Sequence, residues 1–399
     1  MSKLAILGGK PVRDVFLFPF RHTIGDEEIN EVIDTLKSDW ITTGPKTHMF
    51  EEQFCEYIGC KNAIALNSCT AGLHLSLVAY GIGNGDEVIT SPFTFAATAN
   101  VITHQKAKPV FVDIEKVTYN IDPDRIDDAV TDKTKAIIPV HYAGHPCEMD
   151  AVLKIAKRYD LIVIEDAAHA LGAVYKSRRI GTIGDLTSFS FYATKNLTTA
   201  EGGMVTTDND ELAEKIRIMC LHGISKDAWK RYSSEGSWYY EILYPGHKYN
   251  MTDIQASIGI HQLKKIGRMQ KRREEVAKRY TEAFEDMPEI TIPTVKKYAC
   301  HAWHLYPIQV NMNLLRIDRA KFIEALKAEN IGTSVHFIPI HLHPYYRDQY
   351  GFKRGDFPNA ESVYEREISL PLYPKITDKD VEDVIVAVKK IVNYYGKVK

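Results

Sequence analysis

Three stretches of this chain combine residue types that one kind of covalent chemistry requires. In SFSFYATKNLTTAEGGMVTTD (188–208), Lys195 follows an apolar run and precedes the tight turn Glu201-Gly202-Gly203, with Ser190, Thr194 and Asn196 around it. A lysine attacks an aldehyde only through a neutral amine, which a desolvated or cation-rich site favours. Most lysines are solvated surface charges, so Lys195 alone carries little. In IVIEDAAHALGA (162–173), Asp166 ends a strongly apolar strand, at the carboxyl edge where open α/β sheets bind ligands. A carboxylate there can keep a pyridine nitrogen protonated, although an aspartate at a strand end also caps turns. His169, three residues on, can reach the same ring; a lone histidine is more often a satisfied core group. In NSCTAGLHLSL (67–77), Ser68, Cys69 and Thr70 open a helix directly after a buried strand. Free N–H groups, the helix dipole and two hydroxyls there suit a phosphate, and an ordinary Ser/Thr N-cap would look the same. The stretch is neither a Walker loop nor a G-x-G-x-x-G turn. A phosphate cradle, a pyridinium carboxylate and a Schiff-base lysine, in that order, match the needs of pyridoxal phosphate.

The elements that must position these residues follow a regular pattern. Strand-length apolar runs occur at 63–67, 86–91, 109–114, 136–142, 161–166, 186–192 and 203–208, with helical patterns such as TAGLHLSLVAYG and DAVLKIAKRYD between them. Strands apolar on both faces and separated by helices predict an α/β architecture, with a mostly parallel seven-stranded sheet covered on both sides. From Thr252 a long, highly charged helix with a narrow apolar stripe is expected, Thr252 and Gln255 forming a capping box, its charged face solvated. Beyond it HLYPIQV and GTSVHFIPI read as strands, and DRAKFIEALKAEN and TDKDVEDVIVAVKKIVNYYG as helices, making a smaller α+β domain. The expected division is an N-terminal arm (1–23), a large domain (24–251) and a small C-terminal domain with its connecting helix (252–399).

The chain resembles the DegT/StrS group of aminotransferases, fold type I pyridoxal-phosphate enzymes that aminate nucleotide-linked sugars. The resemblance runs from DWITTGPKT (39–47) through NSCTAGLHL, GDEVITSPFTFAATAN, AIIPVHYAGHP, IEDAAHALG, SFSFYATKN, AEGGMVTT and KYNMTDIQA to HAWHLYPI and GTSVHF. It implies that Lys195 bonds the cofactor, pyridoxal 5'-phosphate (pyridoxamine 5'-phosphate in the half-reaction), and serves as the catalytic acid and base. It implies that Asp166 pairs with the pyridine nitrogen, that His169 contacts the ring or its hydroxyl, and that Phe95 stacks on the ring. Ser68, Thr70 and Ser190 match phosphate ligands. Cys69 stands in the same turn where many members have glycine, which a negative φ would tolerate. Asn250 corresponds to a residue that reaches into a neighbour's site, implying a homodimer with shared active sites. Trp40, Thr42, Thr43 and His336 are expected on the sugar side.

The closest likeness is to enzymes that aminate C4 of a UDP-linked 4-keto sugar with L-glutamate, releasing 2-oxoglutarate. The opening LAILGGKPVR instead resembles members acting on inososes, so another keto sugar or an inosose stays open. A dehydratase branch has histidine in place of the Schiff-base lysine, and Lys195 argues against it. A pyridoxal-phosphate-binding regulator without turnover would want a DNA-binding helical pair and a basic surface. Fifty basic and 52 acidic side chains in 399 residues give a formal charge of −2, which argues against nucleic acid or an anionic membrane as partner. No signal peptide or spanning segment is evident, and six scattered cysteines without a C-x-x-C pair read as reduced thiols, so a cytoplasmic location is expected. No metal site is expected, since His341 and His343 lack a third ligand motif.

Overall fold

A computed structural model describes residues 3–225 and 239–397. In chain order the main elements are α1 (Asp26–Lys37), α2 (Pro45–Ile58), β1 (Asn62–Leu66), α3 (Cys69–Ala79), β2 (Glu87–Thr90), α4 (Ala96–His104), β3 (Lys108–Phe111), β4 (Thr134–Ile138), α5 (Met149–Tyr159), β5 (Ile162–Asp166), β6 (Leu186–Ser190), β7 (Gly203–Thr207) and α6 (Asp210–Met219). They are followed by α7 (Asp253–Phe284), β8 (Ile290–Thr291), β9 (Tyr306–Val310), α8 (Arg319–Ala328), β10 (Glu367–Leu370) and α9 (Asp378–Tyr395). The first seven strands form one sheet in the order β1-β7-β6-β5-β4-β2-β3. Only β7 runs antiparallel to its neighbours, so the sheet is mostly parallel, as the apolar runs predict.

Alternation along each strand feeds a core on either face. Ala63, Ala65, Ile137, Val163 and Phe189 pack with Phe50 and Phe54 of α2 and Ile260 of α7. Ile64, Leu66, Ile138, Ile164 and Leu186 pack with Leu73 and Leu77 of α3 and Ile216 of α6. With both faces sealed, ligands can enter only at a strand-end edge. The carboxyl ends of β1, β2, β4, β5 and β6 lie together there, joined by the start of β7, whose reversed direction brings Gly202 and Gly203 to the same edge.

Helix α7 begins with the predicted capping box: Thr252 Oγ accepts the Gln255 N–H and Gln255 Oε1 accepts the Thr252 N–H. It threads two cores, Leu263 and Ile266 lying in the first and Val276, Tyr280 and Phe284 in the second. Its charged face is not simply solvated. Lys265 pairs with Glu27 and Glu28, His261 with Glu31, and the Ser257 hydroxyl meets that of Thr35 at 2.6 Å. Helix α1 thus turns its polar side inward and leaves Ile29, Ile33 and Leu36 exposed by 49%, 41% and 57%.

The second core lies under the antiparallel sheet β8-β9-β10 with α8 and α9, and takes in Leu4 and Leu17 from the N-terminal segment. GTSVHFIPI is not a strand; only an isolated bridge joins Ser334 to Ser369, and β10 supplies the edge instead. Its backbone groups are claimed elsewhere, the His336 N–H by Glu367 Oε2 and the His336 carbonyl by the Tyr142 hydroxyl. The cysteines are free thiols, but only Cys69, Cys147 and Cys220 are buried. Among the described residues, no helix is long and apolar enough to cross a membrane.

The buried Asp253 carboxylate holds the turn before α2. Its Oδ1 accepts the N–H groups of Gly44 and Thr47 at 2.8 and 2.9 Å and the Thr47 hydroxyl at 2.6 Å, while Oδ2 accepts the Lys46 N–H at 3.1 Å. An anion at a helix N-terminus that satisfies several orphan donors stabilises both. Asp253→Ala should lower stability by about 2 kcal/mol in urea unfolding with an unchanged m-value, and an unmoved midpoint would contradict this.

Candidate active site

The sheet's carboxyl edge carries a cavity of about 520 Å³, large enough for a cofactor-sized ligand. Its wall includes Ser68, Cys69, Thr70, Phe95, Asp166, His169, Ser190, Lys195 and His336, which the fold gathers from β1 to β6 and the C-terminal layer.

At one end stands the N-terminus of α3. Ser68 caps it, its Oγ accepting the Ala71 N–H at 3.1 Å while its carbonyl accepts the Gly72 N–H at 3.3 Å. The N–H groups of Cys69 and Thr70 belong to the first turn and have no carbonyl within the helix to donate to, so they are free for an anion. Cys69 is helical rather than left-handed, and its thiol turns into the core toward the Ser188 carbonyl. Gly203 permits the close approach of β7, since a Cβ there would lie 2.4 Å from the Ser68 carbonyl carbon and 2.5 Å from the Cys69 nitrogen. The Ser190 hydroxyl accepts the Tyr192 N–H and keeps its own proton to donate.

Asp166 lies at the floor. Its Oδ2 accepts the Thr98 hydroxyl at 2.7 Å and its Oδ1 the Ala168 N–H at 3.1 Å. Burial pushes its pKa up, while the Thr98 and Ala168 hydrogen bonds and the Lys195 charge pull it back. His169 Nδ1 accepts the Ala143 N–H at 3.3 Å, which leaves its proton on Nε2. The ring packs 4.3 Å from that of His304, whose Nδ1 faces Asn196 Oδ1 at 3.1 Å. Burial holds both imidazoles far below the ordinary range, so both are neutral.

Lys195 follows β6 in a turn closed by its own N–H on the Tyr192 carbonyl at 2.9 Å. It is half-buried, and the surface it retains borders the cavity. No hydrogen bond or ion pair to a described residue holds its Nζ. Desolvation brings its pKa down to about 8, against the opposing pull of Cys69 and Asp166. Phe95 sits at the mouth, 64% exposed, its ring 6.0 Å from Phe337.

Four expected residues lie apart from this wall within one chain. Trp40 Nε1–H donates to the Thr43 carbonyl at 2.7 Å, the Thr42 carbonyl accepts the Asp253 N–H, and Asn250 Nδ2–H donates to the Thr43 hydroxyl at 2.6 Å. Within one chain these contacts close a turn against the start of α7. Conversely, Thr98, His304 and Phe337 belong to the wall or its support without having been singled out. Thr98 lies one helical turn beyond Thr94, whose hydroxyl it meets at 2.8 Å, and that spacing was the available signal. His341 bonds Glu361 at 2.9 Å, and no group of three or more potential metal ligands occurs among the described residues.

The donor set fits pyridoxal phosphate. Two free N–H groups and the Ser68, Thr70 and Ser190 hydroxyls would take the phosphate, Asp166 the ring nitrogen, and Lys195 the aldehyde. The DegT/DnrJ/EryC1/StrS aminotransferase family matches residues 22–389. The uncharacterized protein MJ1066 of Methanocaldococcus jannaschii is 72% identical over 96% of this chain and 99% of its own. The spore coat polysaccharide biosynthesis protein SpsC of Bacillus subtilis is 58% identical over 92% of this chain and 95% of its own. The putative sugar aminotransferase Spr1654 of Streptococcus pneumoniae, solved in both PLP and PMP forms, superposes in its PMP form with a TM-score of 0.89. That form is 37% identical and covers 96% of this chain and all of its own. The chain belongs to the DegT/DnrJ/EryC1/StrS family and is a pyridoxal-phosphate-dependent aminotransferase.

Proposed function

We propose that this enzyme moves an amino group from L-glutamate to C4 of a UDP-linked 4-keto sugar, making a 4-amino sugar for surface polysaccharide or lipopolysaccharide. The observation that carries the reading is Lys195: a lysine without a counter-ion at hydrogen-bond distance, neutral at a pH where most lysines are charged. The naming of SpsC after spore coat polysaccharide supports a polysaccharide destination. Likeness in the ITTGPK, PVHYAG, HAWHL and GTSVHF segments supports the UDP-4-keto sugar. The opening segment favours inososes by resemblance, but its Ala5 and Val12 N–H groups are tied to Glu329, and it contributes nothing to the cavity wall.

When bound, pyridoxal phosphate supplies the electron sink that lets an amino group leave one carbon and join another. In this reading Ser68, Thr70, Ser190 and the Cys69 and Thr70 N–H groups hold the phosphate, and Asp166 holds a proton on the ring nitrogen. His169 and Phe95 bound the ring. Lys195 Nζ takes the proton from the α-carbon of glutamate and returns one to the carbon being aminated, held within reach of both. Asn250, Trp40, Thr42 and Thr43 complete the site of a second copy in a homodimer, with His336 on the sugar side. The exposed apolar side of α1 supports such an assembly, because a stripe of Ile29, Ile33 and Leu36 is costly to leave in water.

Glutamate-dependent amination should be assayed on UDP-, dTDP- and GDP-4-keto sugars and on scyllo-inosose, with the product carbon identified by NMR. The UDP sugar should be aminated at C4 with the highest kcat/KM. Amination only of an inosose, or at C3, would overturn the substrate reading. Thr98→Val should cost roughly 10-fold or more in kcat/KM with cofactor still bound, since Asp166 loses a charge-assisted hydrogen bond. An unchanged rate would remove Thr98 from the account.

A further inference from the structure

His336 borders the same cavity as Lys195, and behind it runs a chain of hydrogen bonds that the amination chemistry above does not use. Its Nδ1 lies 2.9 Å from the Ser369 hydroxyl, and that hydroxyl lies 2.5 Å from Glu367 Oε1. Glu367 Oε2 accepts the backbone N–H of His336 at 2.9 Å, so the carboxyl group is fixed by both ends of the relay. Glu367 has no exposed surface and Ser369 is only 3% exposed. No salt bridge to Glu367 occurs among the described residues; the charged group nearest in influence is Arg319 of α8. The other titratable groups that feel it are the phenols of Tyr119 and Tyr142. In the adjacent strand β9 its register partner is the uncharged Gln309.

We propose that Glu367, Ser369 and His336 form a proton relay that stores one proton from the cavity on Glu367 and thereby reverses the tautomer of His336. With Glu367 ionised, the Ser369 O–H donates to Oε1 and its Oγ accepts the His336 Nδ1–H. Nε2 then meets the cavity as a bare acceptor. When a proton enters at Nε2, the Nδ1 proton passes to Ser369 Oγ and the Ser369 proton to Glu367 Oε1. One proton has been taken up, His336 is again neutral, and Nε2–H now meets the cavity as a donor. Desolvation brings both states within reach. Burial, partly offset by Ser369 and the His336 N–H, pushes the Glu367 pKa up to about 8, and burial with the Lys195 charge brings that of His336 down to about 4. The proton therefore rests on Glu367 rather than on the imidazole. A carboxylate such as that of glutamate only accepts hydrogen bonds and suits the Nε2–H state, whereas a sugar hydroxyl can donate to the bare nitrogen. Its use in turnover rests on the proposed amination; the relay itself does not.

The test is NMR of holoenzyme labelled with 15N-histidine, the His336 signals being assigned by their loss in His336→Gln. Between pH 7 and 9 the Nδ1–H tautomer should rise from about one-tenth to about nine-tenths of the population, following a group with a pKa near 8. Glu367→Gln presents a permanent N–H to Ser369 and should lock His336 as Nε2–H across that range. Ser369→Ala should leave the tautomer indifferent to pH. A single tautomer throughout in the wild-type protein, or the same titration in Glu367→Gln, would overturn the relay. The wild-type titration decides even if a variant fails to fold, and it stands even if no keto sugar is aminated.

Discussion

Taking a lysine amine out of water is the constraint on which the rest of this structure turns. An ammonium left in a poorly solvated place without an ion-paired partner gives up its proton rather than pay the full cost of burial. The sheet supplies such a place at its carboxyl edge. Both of its faces are sealed by apolar side chains, and the turn after β6 delivers Lys195 to the cavity at that edge. Cys69 and then Asp166 pull against the loss of the amine's proton, yet Asp166 is occupied by Thr98 and the Ala168 N–H and does not form an ion pair with the amine. The amine is consequently poised between its two states near pH 8.

Charge elsewhere in the cavity is managed by the same physics. His169, His304 and His336 are all kept neutral by burial, so the wall offers hydrogen-bond donors and acceptors without competing cations. The positive end of α3 and the carboxylate of Asp166 then supply the field, each at a place fixed by the sheet. Outside the cavity several buried carboxylates are held by partners instead: Asp253 against the start of α2, Glu28 with Lys265 and Gln262, and Glu329 with Lys390 and two backbone N–H groups. These pairs fasten the N-terminal segments and α1 to the body of the protein.

The seven strands and the α7 cap were legible because continuous apolar runs and a capping box are local signals. Lys195, Asp166 and Ser68 could be singled out because a helix start, a strand-end carboxylate and a lysine just past a strand, each ordinary alone, occur in that order within one α/β pattern. What escaped came from long range. His304 and Phe337 reach the cavity from the C-terminal layer, more than a hundred residues along the chain from Lys195. GTSVHFIPI alternates like a strand, yet side chains and a phenol claim the groups a ladder would need. Helix α1 shows the limit of periodicity most clearly. Its apolar stripe is exposed, and Glu28 and Thr35 are buried, because α7 presents hydrogen-bonding partners rather than an apolar groove.

The neutrality of Lys195 can be measured without any sugar. Protein freed of cofactor would be mixed with pyridoxal phosphate at pH 6 to 11, trapped with borohydride at short times, and digested to locate the label. The rate of labelling at Lys195 should rise with pH and level off with a midpoint near 8. A midpoint near 10.4, that of an ordinary lysine, or a label on another residue would contradict the account.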